Sequence, residues 1–383
     1  MSDTNRIRLA WLVESTYGTT PSSSSLSEVA LTGESLSQDT QTQNSARIRR
    51  DRMIDDVVRA NIGVSGDINF ELTAANFDTF MQYALQSAGW SSPVVLATES
   101  STISFATSDN SINDSGNGFG SAVVGQWIRI TGASNAANNG LAKVVSKTAG
   151  KIVCSNITFV LESAGDGDVS ITMGAQIVNG VSLSSIHAER KYEDLTNIFA
   201  RYAGLCFEGM SLAVNSEAMI TGSFSLMGKS ETSAAASFGS GYTAPSNKSV
   251  MNAVDHVKKV TVGGTVTGVT ALSFALANNL RGRTQVASLG PVSVGSGTCD
   301  VSGTAQLYFA TQTLMDKYLN FESTTLSLCI DDGTNAFVFE FPNIRFTSGK
   351  RVAGGVNQDI IADLAWTAFR NSSEDIQIRI ARW

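Results

Sequence analysis

Three features of the sequence predict a mainly β fold. Short stretches of alternating apolar and polar residues recur along the chain. Gly, Asn, Asp and Ser interrupt them at turn-like intervals. Helical spacing of apolar residues stands out at only two places, each directly after a strand-like stretch.

Residues 64 to 72 show the strand pattern best. Val64, Gly66, Ile68, Phe70 and Leu72 point one way, and Ser65, Asp67, Asn69 and Glu71 the other, so one face is buried and the other polar and partly acidic. A helix is expected next, with Thr73 as N-cap, a stripe of Ala74, Phe77, Met81, Ala84, Leu85 and Ala88, and Gly89 as the stop. A similar unit recurs near the end. Val301-Ser302-Gly303 echoes Val64-Ser65-Gly66. Ala305, Leu307 and Phe309 follow, then Thr311 as a cap and Leu314 and Tyr318 on a helical face. Thr221 to Leu226 is a shorter echo without a helix. These echoes fit either an internal duplication of a strand–helix element or a chance likeness between amphipathic strands.

The texture changes between about residues 95 and 175. Helix signals vanish, and turn signals crowd in at Asp114-Ser115-Gly116, Asn138-Asn139-Gly140 and Asp166-Gly167-Asp168. Strand-like runs alternate with them: Ser101–Thr107, Trp127–Thr131, Leu141–Ser146, Ile152–Ser155 and Val169–Met173. The reading is a small antiparallel β domain, residues 95–175, inserted into a larger domain formed by residues 1–94 and 176–383, with loops near Pro93 and Gly174 at its bounds. The Ser-, Ala- and Gly-rich residues 229–250 read as a surface loop.

The chain has 383 residues, enough for two or three domains. Only 16% are charged, against about 25% in ordinary soluble domains. A surface so rich in hydroxyls and amides suits packing against copies of itself, because few charges need desolvation. The net charge of −7 argues against a protein that grips nucleic acid, which needs clustered Lys and Arg. It does not argue against a channel that DNA slides through, since an acidic wall repels phosphates. Cys154, Cys206, Cys299 and Cys329 form no C-x-x-C pair and read as reduced core thiols, with a disulfide framework as the alternative. No signal peptide is expected from the start, Met1 to Val13, and no apolar window is long enough to span a membrane. Synthesis in a reducing cytoplasm is the simplest expectation.

Residues 46–61 hold the densest charge: Arg47, Arg49, Arg50, Asp51, Arg52, Asp55, Asp56 and Arg59. Apolar Ile48, Met53, Ile54, Val57 and Val58 are interleaved, which a solvated loop has little use for. Two readings stand side by side. One is an arm that packs on a neighbouring subunit, its charges setting the register. The other is an intramolecular hairpin with a charged rim.

The sequence nominates no catalytic, metal or cofactor site. His187 and His256 have no Cys or carboxylate at metal-ligand spacing. Asp55-Asp56 and Asp331-Asp332 are adjacent, so in a strand they point to opposite faces. Asp331-Asp332-Gly333 reads as a turn between Leu326–Ile330 and Phe337–Phe341. Phosphate-loop and dinucleotide glycine patterns are absent, Gly295-Ser296-Gly297 lacks the nucleophile-elbow frame, and Asp166–Asp168 lacks the calcium-loop pattern.

Several stretches resemble the tail tube protein family of siphophages. They are Glu14 to Pro21 with Leu31 to Leu36, Arg49-Arg50-Asp51-Arg52 leading into Val64 to Ile68, Ser184 to Arg190 with Gly222 to Leu226, and Ala277 to Arg281 with Val301-Ser302-Gly303 and the C-terminal strands. Together they cover most of the chain outside residues 95–175. The resemblance implies a β-sandwich or half-open barrel flanked by a helix. It implies homo-hexameric rings whose inner strands join into one barrel around a lumen, stacked into a tube that conducts phage DNA without binding it specifically. The partners implied are the tape measure protein and the tail terminator and tail tip proteins, and the location is the phage tail of the virion, assembled in the host cytoplasm. Arg47, Arg49, Arg50, Asp51, Arg52, Asp55 and Asp56 would then belong to the arm reaching the adjacent ring or subunit, and residues 95–175 would decorate the tube exterior. Six chains at −7 each give a ring charge of −42. Asp67 and Glu71 are the candidate lumen-facing acids.

Two other classes compete. A decoration or adhesin-type β module would bind a host surface ligand, most directly through residues 95–175. A polysaccharide-cleaving enzyme needs two convergent carboxylates, and the sequence nominates no pair.

Overall fold

A computed structural model describes residues 3–97 and 100–383. Met1, Ser2, Thr98 and Glu99, which fall in the start and in the 95–175 stretch, lie outside the described residues. The chain is mainly β, with two short α-helices among the described residues.

Fourteen strands and both helices fall into two successive sets. The first set is β1 (Ile7–Val13), β2 (Ser37–Asn44), β3 (Val57–Glu71), α1 (Asp78–Ala84), β4 (Ser185–Tyr192), β5 (Phe199–Asn215), β6 (Thr221–Gly228) and β7 (Ser230–Ala234). The second is β8 (Val257–Val262), β9 (Ala271–Ala277), β10 (Asp300–Tyr308), α2 (Thr313–Leu319), β11 (Thr324–Asp331), β12 (Ala336–Ala353), β13 (Ile360–Ala368) and β14 (Arg379–Arg382).

The two sets pair alike. In the first, β1 pairs with β4, β4 with β5, β5 with β6 and β7, β6 with β3, and β3 with β2. In the second, β8 pairs with β11, β11 with β12, β12 with β13 and β14, β13 with β10, and β10 with β9. Each strand therefore has its counterpart seven places on. The registers agree as well. Gly66 faces Leu226, which faces Phe207, and a bulge follows before Gly209. Gly303 faces Trp366, which faces Phe346, and a bulge follows before Ser348. A second bulge lies between Leu205 and Tyr202 in β5 and between Ile344 and Phe341 in β12, the same distances before Phe207 and Phe346. Bulges fix register and bend, so their coincidence makes the duplication a property of the fold. The short echo at Thr221–Leu226 is not a third copy: it is β6, the partner of β3.

The long strands β5 and β12 pass between two layers. Their first halves pair with β4 and β11, and their second halves with β6 and β13. The second half of β5 also pairs with β9, from Gly209↔Ala277 to Asn215↔Ala271. One antiparallel layer thus runs through both repeats in the order β2-β3-β6-β5-β9-β10-β13-β12. Its inner face buries Ile68, Phe70, Phe224, Leu212, Phe274, Leu364 and Trp366. Phe70 stacks on Phe224 with ring centroids 4.7 Å apart, and Phe341 meets Trp366 at 4.7 Å.

Alternation in β3 follows the sequence pattern, with Ser65, Asp67 and Asn69 exposed and Glu71 half-buried. The helix after it is shorter than expected. Ala75 has φ of 69°, a left-handed conformation that cannot sit inside a helix. Thr73 bridges Val250, and its hydroxyl accepts from Asn76 at 2.7 Å instead of capping. α1 starts at Asp78 with Phe77 at the cap position, and Phe80, outside the expected stripe, joins Met81 and Ala84 in the core. Likewise Gln312, not Thr311, precedes α2, and Met315 is its buried residue. Within residues 229–250, β7 and Gly241–Thr243 are strands, and Phe238 packs with Ala10 and Leu26, so the stretch is more than a surface loop. Here the apolar residues find cover from the body, which Ser/Gly content does not reveal.

Residues 94–173 form a separate seven-stranded antiparallel sheet between α1 and β4. Ser111–Asp114 is a strand there that alternation did not suggest. Ile128, Ile130, Val144, Ile152, Phe105 and Phe159 belong to its own core. In the second repeat, α2 runs into β11 within a few residues. The sheet rests on the second repeat. Trp127 and Leu141 pack on Cys329, Ala336, Val338 and Ala381, the faces of β11, β12 and β14 that point away from Leu328, Phe339 and Ile380.

The four cysteines are free, three of them buried. Burial pushes the Cys154, Cys206 and Cys329 thiols up to about 12, so they are unreactive at neutral pH.

Glu14 ties the loop after β1 to the first repeat. Burial opposes its charge. Hydrogen bonds from His187 (3.3 Å), Ser185 Oγ (2.6 Å), Gly204 N–H (2.8 Å) and Gly18 N–H (2.7 Å) outweigh that and hold its carboxyl below the usual range. A folded pKa depressed in this way adds stability above the unfolded value, lost as pH falls through the folded one. Glu14→Gln is therefore expected to lower the urea midpoint at neutral pH and to flatten its decline below about pH 4. An acid limb as steep as that of the unchanged chain would assign the pH dependence to other carboxylates.

Candidate functional site

The solvent face of the continuous layer is a shallow groove crossing both repeats, lined from β3, β6, β5, β9, β10, β13 and β12. Register aligns its side chains in rows. One row runs Asn69, Ser223, Ser211, Ala275, Ser302, Thr367, and the next Glu71, Thr221, Ala213, Ser273, Thr304, Ala365. In both rows the four central strands present only Ser, Thr and Ala. Their hydroxyls pair along the rows, Ser211 with Ser223 at 3.1 Å and Ser273 with Thr304 at 2.8 Å. Two glycines open the layer to aromatic rings from beneath. A Cβ on Gly303 would lie 2.5 Å from Trp366, and one on Gly222 2.5 Å from Phe70.

The candidate acids Asp67 and Glu71 both lie on this face, on β3, at one margin of the groove. Asp67 begins a third row, Asp67, Ser225, Gly209, Ala277, Asp300, and so has an acid at the far end. The groove is thus a neutral hydroxyl floor with Asp67, Glu71 and Asp300 at its margins, and with Arg345 opposite Thr367 and Lys350 opposite Asp363 on the β12 side. The floor itself carries no cation to hold phosphates. Sequence reading placed Asp67 and Glu71 on the polar face of this strand but missed the floor beside them. Its signal was the Ser–apolar alternation of β6 and β9, which becomes a surface only when the strands are set side by side.

The charged segment is the tip of the β2–β3 hairpin. Residues 57 to 60 are exposed on both faces, so the hairpin projects beyond the body. Pairing runs to Asn44↔Val57, and residues 45–56 form the tip. Arg47 pairs with Asp55 at 3.0 Å, and Arg49 with Asp51 at 2.6 Å and Asp55 at 2.8 Å. Asp56 accepts from the Val57 N–H at 2.8 Å. Among the described residues, Arg50 and Arg52 make no ion pair. The apolar residues stay in water, with Ile48 fully exposed, Met53 at 62% and Ile54 at 61%. This is an exposed apolar cluster on a projecting element.

Among the described residues no group of three or more His, Cys, Asp and Glu side chains could hold a metal ion. Ser185, His187 and Glu14 are neighbours, but the Ser185 hydroxyl donates to Glu14 rather than to His187. No helix of the described residues is long and apolar enough to cross a membrane.

The family model described as phage tail tube protein matches residues 4–368. The chain belongs to the phage tail tube protein family. It is a structural component of the virion tail, which assembles into a tube with other tail components. A search among curated proteins gives no match. For a tail tube protein, the hydroxyl-lined groove and the projecting hairpin are the two surfaces of interest.

Proposed function

We propose that the chain is the repeating subunit of the major tail tube, in rings of sixfold plan (six tube units, one tube unit being the set of strands that a single repeat supplies), with the groove facing a lumen that conducts phage DNA into the host. The observation that carries this is the hydroxyl floor, which crosses both repeats and offers phosphates no cation. The arm, residues 46–61, would join one ring to the next through Ile48, Met53 and Ile54, with Arg47, Arg49, Arg50, Asp51, Arg52, Asp55 and Asp56 around them. Residues 95–175 would be an inserted domain on the tube exterior. Their packing on the face of β11, β12 and β14 opposite the core supports that, because the groove lies on the other side of the same core. Tape measure, terminator and tip proteins are the proposed partners, and the role needs no catalytic step.

Electron microscopy of the purified chain with a tail-tip complex tests the reading. Hollow tubes are expected, and a chain inert to that complex would favour a decoration module. Within a tube, Asp67→Lys with Glu71→Lys is expected to leave assembly intact and to slow DNA ejection at low salt, with recovery as salt rises. Ejection at the normal rate in low salt would remove these acids from the channel wall.

A further inference from the structure

The eight-stranded layer ends in two open edges. At one end, β2 pairs with β3 alone among the described strands. At the other, the second half of β12 pairs with β13 on one side, while its partner on the other side, β11, stops at Thr324↔Ile344. Open edges of this kind template further pairing. The duplication shows what fits them. β5 is the counterpart of β12, and β9 of β2, and inside the chain β5 pairs with β9. Resting on the tube reading, we infer that β12 of one chain pairs with β2 of the next as β5 pairs with β9, and that three chains, each supplying two of the six tube units, close a ring.

The register follows from the bulges. Gly209 and Ser348 are equivalent, as are Ser211 and Lys350. Ser37 faces Ser65 as Ala275 faces Ser302, which makes Ser37 and Ala275 equivalent. Since Ser211 faces Ala275 and Gly209 faces Ala277, Lys350 is placed opposite Ser37 of the next chain, and Ser348 opposite Asp39. The N–H of Gln38 between them points outward by the alternation of the ladder. In the single chain the Glu231 carboxylate accepts from it at 3.0 Å, standing where the carbonyl of a neighbouring strand would stand.

Strand count sets the number of chains. Strands lie about 4.8 Å apart, so 24 of them make a barrel about 37 Å across, rising toward about 50 Å when tilted by 45°. With a floor of Ser, Thr and Ala, that admits a hydrated DNA duplex with room for side chains and water. Six chains of eight strands would enclose about 73 Å or more, leaving the DNA unguided, and two chains about 24 to 35 Å, too tight once side chains and water are counted.

The test is a disulfide trap in tubes grown with the tail-tip complex. Lys350 and Ser37 are both exposed, and by the ladder alternation they face each other as a non-hydrogen-bonded pair, close enough for a bridge. The variant Lys350→Cys with Ser37→Cys is expected to give a covalent ladder ending at a closed three-chain species, and ring averages are expected to show threefold symmetry. Ser348→Cys with Asp39→Cys is the second pair should the first disturb folding. Tubes that form without either crosslink, or ladders and averages with six chains, overturn the three-chain ring while leaving the tube reading intact. An unchanged chain that forms no tube with the tip complex overturns the tube reading itself.

Discussion

Replacing Ile48, Met53 and Ile54 together by Ser is expected to abolish tube growth while the chain folds as before. All three lie on the hairpin tip, beyond the residues that reach the core, and are largely in water. Their removal therefore costs the isolated chain almost nothing. Within a ring-to-ring contact each would lose its burial, at least about 1.5 kcal/mol for a side chain of this size. Three such losses weaken each arm contact by about a thousandfold in association constant. Several arms act per ring, so the critical concentration should rise beyond reach. The measurement is tube mass by sedimentation with the tip complex present, alongside the unfolding midpoint. Tubes of normal length from a folded variant would take the arm out of ring stacking. Charge makes a useful contrast. Reversing Arg50 and Arg52 to Glu leaves the pairs of Arg47 and Arg49 intact, so it should slow growth in a salt-dependent way without abolishing it.

The part of this arm legible in the sequence was its composition. Five apolar residues among dense charge pointed either to an arm or to a hairpin, and the structure shows a hairpin on which Arg47 and Arg49 pair with Asp51 and Asp55 while Ile48, Met53 and Ile54 stay in water; the arm is the proposal built on those apolar residues. Alternation in β3 was legible because one face meets Phe77 and Phe224 while the other meets water. Helix bounds were not, since nothing in the sequence marks Ala75 as left-handed or assigns Thr73 to Val250. The Val-Ser-Gly echo survived in both repeats because Gly66 and Gly303 each lie under tight contacts, with Leu36 and Trp366, that a side chain would fill. Beyond it the repeats have drifted: Leu212 is buried where its counterpart Arg351 is exposed at the open edge. The duplication is thus written in pairings and bulges, which a sequence does not display. The groove floor is hidden for the same reason, since a row such as Asn69, Ser223, Ser211, Ala275, Ser302 brings β3, β9 and β10 from distant parts of the chain beside the β5–β6 hairpin.

Glu340→Leu is expected to lower stability by about 3–5 kcal/mol and to loosen residues 94–173 from the second repeat. Glu340 sits on β12 and is 3% exposed. It accepts from Trp127 Nε1 at 2.8 Å, Lys143 Nζ at 2.5 Å and Arg379 at 2.7 Å. Glu374 completes the group, 2.6 Å from both Lys143 and Arg379. Burial works against its charge as well, and the two cations outweigh that, holding its carboxyl below the usual range. Two cations and two carboxylates balance. Removing Glu340 leaves one net positive charge out of water and strands the Trp127 indole N–H, which adds a desolvation cost of its own. The change is large against a total stability of about 5–15 kcal/mol. Trp127 and Lys143 belong to the separate sheet and Glu340 and Arg379 to the second repeat, so the loss should fall on their junction. Hydrogen exchange is expected to quicken across residues 127–143, while β3 and β6, on the far repeat, keep their protection. Adding Lys143→Met restores the charge balance and should recover part of the loss, because a neutral replacement of a buried pair is tolerated far better than half of one. Unchanged exchange at residues 127–143 in the single variant would mean that the apolar contacts of Trp127 and Leu141 with Val338 and Ala381 hold the junction without the charges.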